Sequence, residues 1–169
     1  MQTLRSLFET CKRSEADRQL SNCDIHCVTG LLKLYFRQLP HPLFTEVLYT
    51  EFIAAISNHD EKIRRENMIK CLNKLKNDHT ANFQTLTRLV EHFLVVAKNE
   101  EFNKMSAYNL ATIFGPTLMW PDNSSNQAQF EWWKLTMNVR FFFKQICIVT
   151  YYHGIPFSNT PFIFHKYMQ

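Results

Sequence analysis

Leu31-Leu32-Lys33-Leu34-Tyr35-Phe36-Arg37-Gln38-Leu39-Pro40-His41-Pro42-Leu43 is the stretch on which the reading of this chain turns. Up to Gln38 it reads as the end of a helix. Leu39-Pro40-His41-Pro42 then stops it, because proline lacks the backbone donor and disfavours α geometry in the residue before it. Working back, Asp24 is placed to cap a helix from Ile25 to about Gln38. Ile25, Val28, Leu32, Tyr35 and Phe36 share its expected buried side. Gly30 stands inside that helix at a cost of about 1 kcal/mol relative to alanine, which predicts close approach of a neighbouring helix. Lys33 and Arg37 are four residues apart and so lie on one face. No carboxylate is interleaved at the same spacing. Two readings follow from spacing alone: a solvated helix face, or a cationic site for a phosphate-bearing or acidic partner.

The flanking sequence is helical by the same criteria. Leu4, Leu7, Phe8 and Cys11 give residues 2 to 12 one apolar face. Arg13 to Ser21 is polar and reads as a loop. Thr45 is expected to cap a helix reaching about Ser57, and Asp60 another reaching about Lys76. Leu86, Leu89, Val90, Phe93 and Ala97 form the cleanest helical stripe. Ser106 is expected to cap a short helix ending at Phe114, where Gly115-Pro116 stops it. Asp122 to Gln129 reads as a loop, Phe130 or Glu131 to about Tyr152 as an aromatic-rich final helix, and residues 153–169 as irregular. Three glycines and six prolines leave little material for the turns of a β protein. The expected fold is an all-α bundle.

Composition excludes several function classes. At 169 residues, 46% hydrophobic and 20% charged, the chain is one globular domain with a substantial core. A net charge of +4 spread along the sequence does not build a nucleic-acid-binding arm. An odd count of five cysteines, with no signal peptide, points to free thiols, a reducing compartment and a cytoplasmic location. The apolar run from Phe141 to Tyr152 is too short for membrane insertion, which needs about 20 residues. Cys23, His26 and Cys27 are possible metal ligands, but no fourth ligand stands at a fitting spacing, so no metal is expected. There is no Gly-x-Ser-x-Gly, His-Glu-x-x-His or P-loop.

Taken with Asn103-Lys104-Met105 and Asn109-Leu110-Ala111-Thr112-Ile113-Phe114-Gly115-Pro116-Thr117-Leu118, the opening block resembles the Rho GTPase-activating (RhoGAP) domain, with details similar to its breakpoint-cluster-region and chimaerin branches. The resemblance implies a Rho-family small GTPase, in its GTP-bound state, as partner. It implies that Lys33 contacts that partner and that Arg37 braces a loop carrying a catalytic arginine. It places Asn109 at the partner-facing surface, Asn103 in a capping or loop-bracing role beside it, and Pro116 on the docking rim. GTP and Mg²⁺ belong to the partner, so no cofactor is expected in this chain. The chain is accordingly expected to be no enzyme but an activator of the partner's hydrolysis.

Some positions depart from the family pattern. His41 stands where an acidic residue is common, and Lys76 where a proline is common. The family's Gly-x-x-Arg-x-x-Gly loop, which carries the arginine finger, has no counterpart, since no glycine precedes Gly30. Arg5, Arg13 and Arg18 lack the glycine flanks that let a backbone approach a nucleotide. The expectation is therefore a bundle over 1–152 without its finger segment, N-terminally truncated, with a tail over 153–169 and no catalytic residue of its own. An exposed apolar patch near the first helix is expected to accompany it. Two functions stay open: activation of a Rho-family GTPase, or a non-catalytic module that only binds one.

Overall fold

The computed structural model describes Ser6 and residues 13–120. The described residues form helices only: α1 Arg13–Leu20, α2 Ile25–Arg37, α3 Glu46–Ile56, α4 Glu61–Asp78, α5 Thr80–Lys98, α6 Glu100–Asn103 and α7 Ala107–Leu118. The expected first helix, final helix and tail lie outside the described residues, apart from Ser6, which is helical.

Helix starts follow the side chains that can satisfy the first free N–H groups. Asp24 accepts from the His26 N–H at 2.6 Å and opens α2. Asp60 accepts from Lys62 and Ile63 at 2.8 and 3.1 Å and opens α4. The Ser106 hydroxyl accepts from Asn109 at 3.1 Å and opens α7.

Thr45 departs from this pattern. It precedes α3 but makes no side-chain cap bond, and its backbone sits at φ 58°, ψ 144°. Its hydroxyl is buried with no partner. A β-branched residue is strained at positive φ, by about 1–3 kcal/mol. The surroundings enforce it. Leu43 and Phe44 are buried immediately before it. The Phe44 N–H donates to the Leu118 carbonyl at 3.2 Å. Asn82 of α5 donates to the Leu43 carbonyl at 3.1 Å. The proline turn is thereby tied to both α5 and α7.

Three other expectations are corrected. The polar segment expected as a loop is helix α1. Its apolar contact is narrow, because among its described side chains only Ala16 and Leu20, one turn apart, are buried, and Leu20 packs with Val28 of α2. Tyr35 does not join the buried face of α2. It is 59% exposed and meets Phe36 edge to face, with ring centroids 5.2 Å apart. Helix α7 does not stop at Gly115-Pro116 but runs on to Leu118 with Pro116 inside it. The proline forfeits one backbone bond. Burial of Phe114, Thr117 and Leu118 on the same turns carries the helix past it, and the Met119 N–H still reaches the Gly115 carbonyl at 3.1 Å.

Packing follows the chain and then closes on itself. Helix α3 packs on α4, and α4 on α5. Met68, Cys71, Leu72 and Leu75 form the buried side of α4. Helix α7 then returns to contact both α2 and α5. Its Phe114 ring lies 4.5 Å from that of Phe93 on α5. One core cluster runs from Phe36 through α3, α4 and α5 to Met119.

Burial, aided by the Glu51 carboxylate, pushes the Cys71 thiol up from 9.0 to about 11. The native state thus favours the neutral thiol. The stability this gives is present below pH 9.0 and is lost as pH rises toward about 11. In alkylation of the folded protein at pH 8, read by peptide mass, Cys71 is expected to react much more slowly than the exposed Cys27. Equal rates would contradict the burial. Replacing Thr45 by Gly removes both the strained side chain and its orphaned hydroxyl, and is expected to raise stability by about 1 kcal/mol in urea unfolding. A loss of stability would show that the threonine side chain stabilises the turn.

Candidate functional site

Helix α2 carries the two cations. Lys33 is half-buried and Arg37, one turn later, is exposed. Among the described residues neither makes an ion pair or a side-chain hydrogen bond. Some cations elsewhere are paired, Arg18 with Glu15, Lys74 with Glu51, and Arg88 with Glu91, while exposed lysines such as Lys62 and Lys76 share the unpaired state of Lys33 and Arg37. The Lys74 ammonium is held protonated above its usual range by its hydrogen bond to Glu51. Among the described residues no carboxylate compensates Lys33 and Arg37, so their face favours anions.

Lys33 also lines a groove of about 840 Å³ between α2, α5, α6 and α7. Leu32, Phe93, Val96, Leu110 and Phe114 are among its apolar lining, and Asn103 is among its polar lining. Arg37 does not line it. The exposed apolar side chains Phe102, 86% accessible, and Ile113, 38%, also line it. The sequence reading did not single these two out. An amphipathic count tests whether apolar residues share a face, and that count does not show which ones the fold leaves uncovered.

The two asparagines are joined by a turn. Lys104, between α6 and α7, is left-handed at φ 59°, ψ 19°. Asn103 donates its amide to the Val96 carbonyl at 2.8 Å and accepts from the Met105 N–H at 2.8 Å. It therefore pins the turn to the end of α5. Asn109 is exposed in the first turn of α7 and donates its amide to the Lys104 carbonyl at 3.0 Å.

Pro116 is half-buried, seven residues beyond Asn109. Two helical turns bring it back to the same face, roughly 10 Å along the axis. Asn109, the exposed Thr112 and Ile113, and Pro116 thus form one outward stripe on α7. The structure brings Lys33 and Asn103 together on the groove. It sets Asn109 on the adjoining turn, and leaves Arg37 and Pro116 on the outer surfaces of α2 and α7.

Among the described residues, no group of three metal-ligating side chains is arranged to hold an ion. No described helix is long and apolar enough to cross a membrane.

Comparison with known proteins bears on this geometry. The RhoGAP domain family matches residues 1–123. The human breakpoint cluster region protein is 37% identical over 127 residues, which cover 75% of this chain and 10% of that protein. Rat beta-chimaerin is 44% identical over 104 residues, covering 60% of this chain and 34% of that protein. The crystal structure of human Rho GTPase activating protein 15 superposes with a TM-score of 0.64 at 30% identity, covering 75% of this chain and 58% of that one. The chain thus spans about a tenth of the breakpoint cluster region protein and about a third of beta-chimaerin.

These findings overturn the expectation that placed the chain outside enzymes. The RhoGAP relatives are GTPase-activating proteins, which accelerate GTP hydrolysis, and the match points to a regulator of GTPase activity with nothing in it that marks this chain as inactive. They also do not favour the alternative of a module that only binds. The match over residues 1–123 and the helical fold shared with solved relatives make this chain a member of the RhoGAP domain family.

Proposed function

We propose that this domain binds Rho-family small GTPases in their GTP-bound state, in the cytoplasm, and accelerates their hydrolysis of GTP. One observation carries the reading: Lys33 and Arg37 stand on one face of α2 with no carboxylate partner among the described residues, and Lys33 borders the groove. Family membership supports it.

Hydrolysis builds negative charge on the γ-phosphate and the leaving oxygen, and an activating domain stabilises that charge and orders the group that positions water. GTP and Mg²⁺ are the partner's. This chain's part is docking and positioning. The Lys33 ammonium, half-buried and unpaired, meets the acidic partner surface without first breaking an internal ion pair. Arg37 lies one turn further out, where the family resemblance assigns it to bracing a loop. Its planar guanidinium suits a bidentate contact with carboxylate or backbone carbonyls. Asn109 and Pro116 extend the docking face along α7. The 169 residues contain no Gly-x-x-Arg-x-x-Gly, so we assign the inserted arginine to no residue of this sequence.

The test is single-turnover GTP hydrolysis by a Rho and a Rac protein against increasing domain concentration. Acceleration that saturates is expected. Changing Lys33 and Arg37 together to Ala is expected to raise the half-saturating concentration at least tenfold, since each removes a charge-assisted contact worth about 1.5–3 kcal/mol. No acceleration at any concentration, or an unchanged response in the double variant, would contradict the proposal.

A further inference from the structure

We propose that the groove is a helix seat and that this chain's own residues 132–149 fill it. The docking reading uses only the groove's polar rim, through Lys33 and Asn103. Its apolar part is left without a role. The surrounding helices form a bundle with one corner open. Helix α7 packs against both α2 and α5, and no comparable packing joins α2 directly to α5. The groove opens between those two. Ile25, Leu32 and Met105 are half-buried along it, Ile113 is 38% accessible and Phe102 is 86% accessible. A slot with that much uncovered apolar surface favours an apolar occupant over water.

The chain beyond α7 supplies one. Residues 132–149 lie outside the described residues and outside the family match, which ends at residue 123. Their sequence has a pattern. Trp132, Leu135, Val139, Phe142, Ile146 and Val149 recur at alternating steps of three and four, the spacing of a helix seam that packs on other helices. In that register Lys134, Arg140 and Lys144 fall off the arc, so a slot buries it without desolvating a charge. Length and connection fit as well. Helix α2 lines the groove from Ile25 to Lys33, roughly 12 Å, and Leu135 to Ile146 spans roughly 16 Å as helix. The groove borders α7 from Leu110 to Phe114, and α7 ends at Leu118. The way back along α7 is roughly 12 Å. The thirteen residues 119–131 reach about 40 Å when extended. Such a tether gives the segment an effective concentration on the order of millimolar, which favours it over a second copy of the chain. Arg37, Asn109 and Pro116 do not line the groove, so a seated segment leaves them free. The inference therefore holds whether or not the domain activates a GTPase.

The test is nuclear Overhauser spectroscopy of the full chain with labelled Ile, Leu and Val methyl groups. Cross-peaks from Ile25, Leu32 and Ile113 to Leu135, Val139 and Ile146 are expected. A second sample mixes chains labelled only at Ile with chains labelled only at Leu and Val. There the Ile25–Val139 and Leu32–Ile146 cross-peaks are expected to vanish, because each contact lies within one chain. Changing Val139 and Ile146 together to Asp is expected to abolish the cross-peaks and to raise the fluorescence of an added apolar dye severalfold. The methyl signals of Leu72 and Leu75, on α4 and away from the groove, report whether that variant keeps the fold. If it does not, Phe102→Asp, at an exposed position on the groove edge, is expected to weaken the same cross-peaks.

Absence of these cross-peaks in the folded wild-type chain would overturn the proposal. Their persistence in the mixed sample would assign the seat to a second copy. Cross-peaks from the groove to Leu4 or Leu7 in their place would assign it to the other end of the chain. Unchanged cross-peaks in the folded double variant would show that the stripe is not what packs there.

Discussion

The packing of α7 against α2 and α5 is the constraint on which the functional face depends. Phe114 reaches Phe93 on α5, and the α7 side that bears Leu110, Ala111 and Leu118 is buried. At its far end the Leu118 carbonyl takes the Phe44 N–H, which fixes the proline turn that ends the first sequence block. Two blocks more than sixty residues apart are thereby joined into one surface. If α7 shifted, Lys33 and Asn109 would lose their common setting although each helix kept its own shape. This account also gives Pro116 a reason to sit within a helix: the buried residues around it stabilise the last turn more than one absent hydrogen bond weakens it.

Much of the fold was legible because caps and apolar periodicity are local. Asp24, Asp60 and Ser106 bond the backbone as their sequence positions imply, and the stripe from Leu86 to Phe93 is buried. What was missed depends on partners distant in sequence. Among its described side chains helix α1 has only Ala16 and Leu20 buried, too narrow a signal to stand out in a polar segment. Thr45 has the right residue type for a cap, but bonds from Asn82 and to Leu118 place its backbone elsewhere. Tyr35 lies at the edge of the apolar arc, and only the packed neighbours decide that it stays out.

The site was legible to a similar depth. The spacing of Lys33 and Arg37 is a property of one helix, and the sequence shows it. That no carboxylate from another described helix comes to neutralise them is a property of the fold. The resemblance already set Asn109 at the surface and Asn103 in a capping or loop-bracing role, but the bonds behind that division were out of reach for the same reason. It rests on the Val96 carbonyl seven residues before Asn103 and on the backbone of Lys104. Family membership also changed how the chain is classed, since its relatives are GTPase-activating proteins, regulators that accelerate GTP hydrolysis.

The central claim is that the α2–α7 face receives the GTPase. Its most direct test is an amide chemical-shift titration of the isotopically labelled chain with a Rho-family GTPase loaded with a non-hydrolysable GTP analogue. The account requires perturbations at Lys33, Arg37, Asn109 and Ile113 that weaken when GDP replaces the analogue, with the exposed side of α4 around Lys70 and Asn73 unmoved. Perturbations centred on α4, or a pattern indifferent to the nucleotide, would contradict it.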